Sequence, residues 1–114
     1  MVIRRGELWW AELPEPRDSG PGYMRPVLII QSTLFNRVGL RTTIAVMLTT
    51  NLRLADAGGN VLLPKSETGL PQHSVANVTQ IFTLDKGRLR ELVGPLPRHL
   101  MEQVEKGLRL VLEL

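Results

Sequence analysis

Cysteine is absent from the sequence. That excludes disulfides, a thiolate nucleophile and cysteine-ligated zinc, and it fits a cytoplasmic setting without requiring one. Histidine occurs only as His73 and His99. Neither stands at metal-ligand spacing from another histidine or a carboxylate, so neither a metal site nor another cofactor is expected. Ser19-Gly20 and Ser66 lack the Gly-x-Ser-x-Gly setting of a nucleophile elbow. No carboxylate pair stands out for acid–base work; Glu7, Glu12 and Asp18 are acids that precede the stretch described next. No apolar run is long enough to span a membrane, and the charged, alternating start of the chain is not a signal peptide. Lysine is scarce as well: of the 14 basic residues only Lys65, Lys86 and Lys106 are lysine, within a net charge of +3. Arginine's planar fork suits phosphate, although a GC-rich genome accounts for the same bias.

What is present is organised around residues 25–50. Val27 to Ile30 and Thr43 to Leu48 are apolar, β-branched runs of the kind that form buried strands. Arg25 precedes the first run, and Thr49 and Thr50 follow the second. Antiparallel pairing of the two strands would bring a guanidinium and hydroxyls to one rim of the sheet. Pro26 fixes φ at the strand start and holds Arg25 extended. By position alone, Arg25 also reads as a surface arginine and the threonines as ordinary strand ends.

The 114 residues are expected to form one domain. Arg4 to Leu13 reads as a first strand, in which Trp9 and Trp10 must point to opposite faces; one can enter the core and the other an outer face, an interface or a groove. Pro14 to Met24 is a loop rich in proline and glycine, on which Arg17 and Tyr23 can contact a phosphate or a base. Ser32 is placed to cap a short helical turn. Asp56 to Asn60 forms a reversal, Val61 to Leu63 a short strand, and Lys65 to Gln72 a loop. Ser74 to Thr83 is a longer strand whose Asn77, Thr79 and Gln80 require one face to look outward. Arg88 to Val93 contains a short strand. From Pro97 the apolar residues Leu100, Met101, Val104, Leu108, Val111 and Leu112 recur at helical spacing, and Gly107 among them implies close packing. The fold expected is mainly β, a small half-open barrel with a C-terminal helix.

In order along the chain stand Arg5-Gly6-Glu7 with the tryptophan pair, a Gly/Pro loop carrying Ser19, Arg25-Pro26-Val27-Leu28-Ile29-Ile30-Gln31, Asn36-Arg37, and a strand ending in Thr49. Ser74-Val75, Gln80-Ile81, Thr83-Leu84-Asp85-Lys86, Arg88-Leu89 and the C-terminal helix follow. In this order and spacing the chain resembles the MazF/PemK-type toxins, the mRNA interferases of bacterial toxin–antitoxin pairs. The resemblance implies an SH3-like β-barrel that forms a homodimer and cuts single-stranded RNA without metal, leaving a 2′,3′-cyclic phosphate and a 5′-hydroxyl. It implies a cognate MazE-like antitoxin as partner, contact with DNA only through the antitoxin complex, and no membrane. It assigns Arg25, Thr49 and Ser19 to catalysis, and Arg17, Gly22, Tyr23, Thr50, Asn51, Thr79 and Gln80 to RNA contact. Pro21 and Tyr23 stand where relatives are often richer in glycine, and Thr79 where many carry glutamate. Both departures concern base recognition rather than cleavage. A non-cleaving nucleic-acid binder and a protein-interaction module are the rival readings.

Overall fold

The computed structural model describes residues 2–14 and 23–114. Among these residues six strands form one antiparallel sheet: β1 (Glu7–Leu13), β2 (Tyr23–Ile29), β3 (Thr42–Thr49), β4 (Val61–Leu63), β5 (Ser74–Asp85) and β6 (Leu89–Pro95), in the spatial order β4-β5-β3-β2-β1-β6. Helices α1 (Thr33–Arg37), α2 (Lys65–Thr68) and α3 (Arg98–Leu112) complete the chain, with 3₁₀ turns at Leu52–Asp56 and Lys86–Arg88. The sheet curls into a half-barrel with the C-terminal helix packed on it, the architecture expected from the sequence.

The curl follows from burial on both faces. On one face Leu8, Leu28, Val46, Leu48, Ala76 and Val78 meet Leu100, Met101, Val104 and Leu108 of α3. On the other, Ile3, Trp9, Ala11, Val27, Ile29, Ala45, Leu84 and Leu89 close on one another. Each large aliphatic side chain removed from water in this way contributes about 1.5–3 kcal/mol. Val27, Leu28 and Ile29 are therefore all fully buried despite pointing alternately up and down. The tryptophans obey the same alternation: Trp9 is buried in the second cluster, while Trp10 is half-buried against the first.

Gly107 is buried in α3, where it meets the reversal before β4; a Cβ there would overlap the carbonyl of Gly59. The close packing expected at this glycine is present, and it seats the helix on the sheet.

Several details differ from the sequence reading; β2, for one, takes in Tyr23 and Met24, which were expected in the preceding loop, and β5 runs on to Asp85. β1 begins at Glu7 rather than Arg4, because Arg4 to Gly6 form a turn in which the Arg4 N–H donates to Glu7 Oε1 (2.8 Å) and Gly6 takes φ +93°. The segment read as a loop from Lys65 holds one helical turn, closed by Gly69 at φ +81°; four residues are too few for apolar periodicity to register. Ser32 is the N-cap of α1, but its side chain makes no capping bond, and its carbonyl instead receives the Asn36 N–H at 3.0 Å.

β5 is kinked. Val46 of β3 pairs with Ile81 and the next residue, Met47, pairs with Asn77, leaving residues 78–80 as a bulge. Asn60 fixes it: its Oδ1 accepts the Val78 N–H at 2.9 Å, and its Nδ2 donates to Leu54 O and Asn77 Oδ1.

Candidate active site at the rim of the half-barrel

β2 and β3 pair antiparallel, with Val27 opposite Met47, Leu28 opposite Val46 and Ile29 opposite Ala45. This register carries the start of β2 to the end of β3. Arg25 Nη2 donates to the carbonyl of Leu48 at 2.7 Å, so the guanidinium lies against the backbone immediately before Thr49. Among the described residues its other N–H groups meet no acceptor, and the residue is half-buried. The ring of Tyr23 flanks it, with Arg25 Cζ 6.0 Å from the ring centroid, at the outer reach of a cation–π contact.

Thr49 is half-buried at the end of β3. Its Oγ1 accepts the N–H of Asn51 at 3.1 Å, which turns the backbone out of the strand and leaves the hydroxyl proton to donate. Asn51 in turn caps the following 3₁₀ turn, its Oδ1 accepting the Arg53 N–H at 3.3 Å. Thr50, between them, is exposed. The rim therefore presents a fixed cation from β2 beside two hydroxyls at the end of β3, an arrangement suited to a phosphodiester.

Of the residues named from the sequence, Tyr23, Arg25, Thr49, Thr50 and Asn51 come together at this rim. Thr79 and Gln80 do not join them; both are exposed on the β5 bulge, one strand beyond β3, and the Thr79 hydroxyl donates to Asn77 Oδ1 at 3.1 Å. Arg17, Ser19 and Gly22 lie outside the described residues. Among the described residues no three histidine, aspartate or glutamate side chains gather as a metal site, and no helix is long and apolar enough to cross a membrane.

The sequence reading missed part of this rim. A cavity of about 200 Å³ opens beside Arg25, with Trp10 and Leu70 among its apolar walls and Thr50, Gln72 and Ser74 among its polar groups. These residues come from β1, the end of β3 and the segment leading into β5, which are distant in sequence. The only hint available was the forced outward orientation of one of the two tryptophans.

A family model described as PemK-like, MazF-like toxin of type II toxin–antitoxin system matches residues 4–112. The chain is 50% identical over 114 residues to Endoribonuclease MazF6 of Mycobacterium tuberculosis, covering 100% of each. It is 32% identical to Endoribonuclease EndoA of Bacillus subtilis, covering 100% of this chain and 97% of that protein. Among solved structures, an endoribonuclease in complex with its cognate antitoxin from a mycobacterial species aligns with a TM-score of 0.74 at 26% identity, covering 99% of this chain and 95% of that one.

Proposed function

The chain belongs to the PemK-like, MazF-like toxin family of type II toxin–antitoxin systems, and on that premise we propose that it is an endoribonuclease toxin that cuts single-stranded RNA at the Arg25–Thr49 rim, by attack of the RNA's own 2′-hydroxyl. The observation that carries this reading is the Arg25 guanidinium, anchored on the Leu48 carbonyl at 2.7 Å and adjoining Thr49. A protein that merely bound nucleic acid would have no need of a cation immobilised beside a strand-end hydroxyl.

RNA holds its nucleophile next to the phosphorus, so the enzyme need supply neither a nucleophile nor an activated water. The 2′-oxygen forms a bond to phosphorus as it loses its proton. The P–O5′ bond breaks, and the 5′-oxygen gains a proton. The products are a 2′,3′-cyclic phosphate and a 5′-hydroxyl, and no metal enters the scheme. Negative charge accumulates on the non-bridging oxygens as the phosphorane forms. Arg25 meets that charge with paired N–H donors, and the Thr49 hydroxyl adds a further donor. Arginine titrates far above neutrality, so charge stabilisation is the role given to Arg25. Ser19, which lies in sequence between β1 and β2, is assigned to the cleavage point. Arg17, Gly22, Tyr23, Thr50 and Asn51 hold the strand near it, and Thr79 and Gln80 hold it farther along.

The toxin acts in the cytoplasm as a homodimer of one-domain chains. A cognate antitoxin neutralises it and provides its only link to DNA. The mycobacterial relative seen with its cognate antitoxin supports that partner. The test is to incubate the purified protein with a mixed RNA pool in EDTA and to analyse the new ends. Cleavage leaving cyclic phosphate and 5′-hydroxyl ends is expected. Intact RNA would defeat the proposal, and 5′-phosphate ends would replace the 2′-hydroxyl with water as nucleophile.

A further inference from the structure

The cavity beside Arg25 does not end there. A second one, of about 250 Å³, adjoins it, and Thr50, Pro71 and Gln72 line both. The two make one cleft, running from Arg25 and Trp10 at one end to Lys65 and His73 at the other. His73 is held there by its Nδ1, which accepts the Lys65 backbone N–H at 3.1 Å. The segment that lines both cavities is built rather than loose. The Thr68 hydroxyl accepts the Leu70 N–H at 3.1 Å, Leu70 is buried, and the Ser74 hydroxyl donates to the Gln72 carbonyl at 3.3 Å. The Gln72 side chain, by contrast, is exposed at the boundary.

The composition of the cleft changes along its length in the way a nucleotide's does. A cation stands at one mouth, a flat indole with apolar neighbours follows, then an amide and a hydroxyl, then a second cation. We infer that this cleft is a base-reading subsite: the nucleobase adjoining the phosphate held by Arg25 stacks on Trp10, Gln72 reads its hydrogen-bonding edge, and Lys65 meets the next phosphate. The inference rests on the RNA-cleaving reading of the rim and adds specificity residues to it. Stacking on an aromatic ring accepts any base and supplies affinity. An amide with one acceptor and two donors distinguishes base edges and supplies choice. A lysine meets phosphate as a point charge and supplies affinity without choice.

The three roles separate experimentally. Wild type, Gln72→Ala and Gln72→Glu are given a randomised RNA library, and the base frequencies around the cuts are compared. Gln72→Ala should lose roughly 5- to 150-fold of discrimination at one position of the recognised sequence, the worth of a well-formed base contact. Gln72→Glu, which only accepts, should shift that position toward bases with an exocyclic amino donor. Lys65→Ala should weaken binding equally for all sequences and lower the log–log salt slope by about 0.7. Cutting by both Gln72 variants with unchanged preference at every position would overturn the proposal and leave the cleft to some other occupant, such as a peptide side chain.

A second measurement does not depend on cleavage. An oligonucleotide made uncuttable by 2′-deoxy substitution should quench the tryptophan emission of the wild-type protein saturably, and that response should vanish in Trp10→Phe, where buried Trp9 is the remaining fluorophore. If the wild type cuts no RNA, the proposed function fails, yet the quenching still decides the subsite. No quenching in the wild type, or quenching that survives in Trp10→Phe, would refute it.

Discussion

The β2–β3 pair has polar residues at both ends, and the two ends use them differently. At the α1 end, Asn36 is buried and fully engaged. Its Oδ1 accepts from Gln31 Nε2 (2.8 Å) and Thr43 Oγ1 (2.7 Å), its Nδ2 donates to Gln31 O (3.2 Å), and its carbonyl accepts from Lys86 Nζ (2.6 Å). At the other end, one Arg25 nitrogen is anchored on Leu48 O and, among the described residues, its other donors have no partner, beside a hydroxyl that accepts locally and has its proton to give. Among the described residues no buried side-chain nitrogen or oxygen lacks a hydrogen-bond partner, so the fold is not short of partners. Polar groups that are consumed internally hold the strands in register. Polar groups that are anchored once and left open are free to meet a ligand.

That contrast is broken most severely by Arg25→Ala. Loss of its donors should lower the cleavage rate by about 10²–10³, the usual consequence of removing a donor to transition-state charge. The unfolding free energy should change by about 1 kcal/mol, since a single part-buried bond is lost. Arg25→Lys should recover the rate only in part, because a point charge does not reproduce the fork. Single-turnover cleavage and urea unfolding on the same preparation measure both quantities.

Asn36→Ala should show the reverse pattern. It leaves the buried Thr43 hydroxyl without its acceptor and should cost about 1–3 kcal/mol of stability, read as a lower urea midpoint. Cleavage per folded molecule should stay close to wild type. A stable, inactive Asn36→Ala protein would erase the distinction between the two ends.

The smallest effect is expected from Thr49→Ala. The loss of one neutral donor to the phosphate corresponds to about tenfold in rate, or ~1.4 kcal/mol. The Asn51 N–H also loses its acceptor, but it sits at an exposed turn where water replaces it. A loss as large as that of Arg25→Ala would assign Thr49 a proton-transfer role instead.

Much of this contrast was legible before any coordinates. Arg25-Pro26 before one apolar run and Thr49-Thr50 after another require only that the strands pair antiparallel, and hydrophobic runs of that length leave little alternative. Gly107 announced a close approach because glycine in a helix interior is otherwise a cost. The role of Asn36 was not legible. In sequence it is a turn-forming residue near a glycine, and its burial depends on Thr43 and Lys86 arriving from β3 and the turn after β5. The cleft at Trp10 and Gln72 was hidden for the same reason, since three separate elements build it. The β5 bulge that separates Thr79 and Gln80 from the rim is set by Asn60, a residue the local pattern marks only as part of a reversal.

Central to the proposed chemistry is use of the RNA's own hydroxyl at the open rim. One substrate isolates that step: a cleavable oligonucleotide carrying a single 2′-deoxy substitution on the nucleotide 5′ to the cut, assayed for binding and for cleavage in EDTA. Binding close to that of the all-ribose strand with no cleavage at that bond is the predicted result. Cutting of the deoxy-substituted bond at a rate near that of the ribose strand would contradict it.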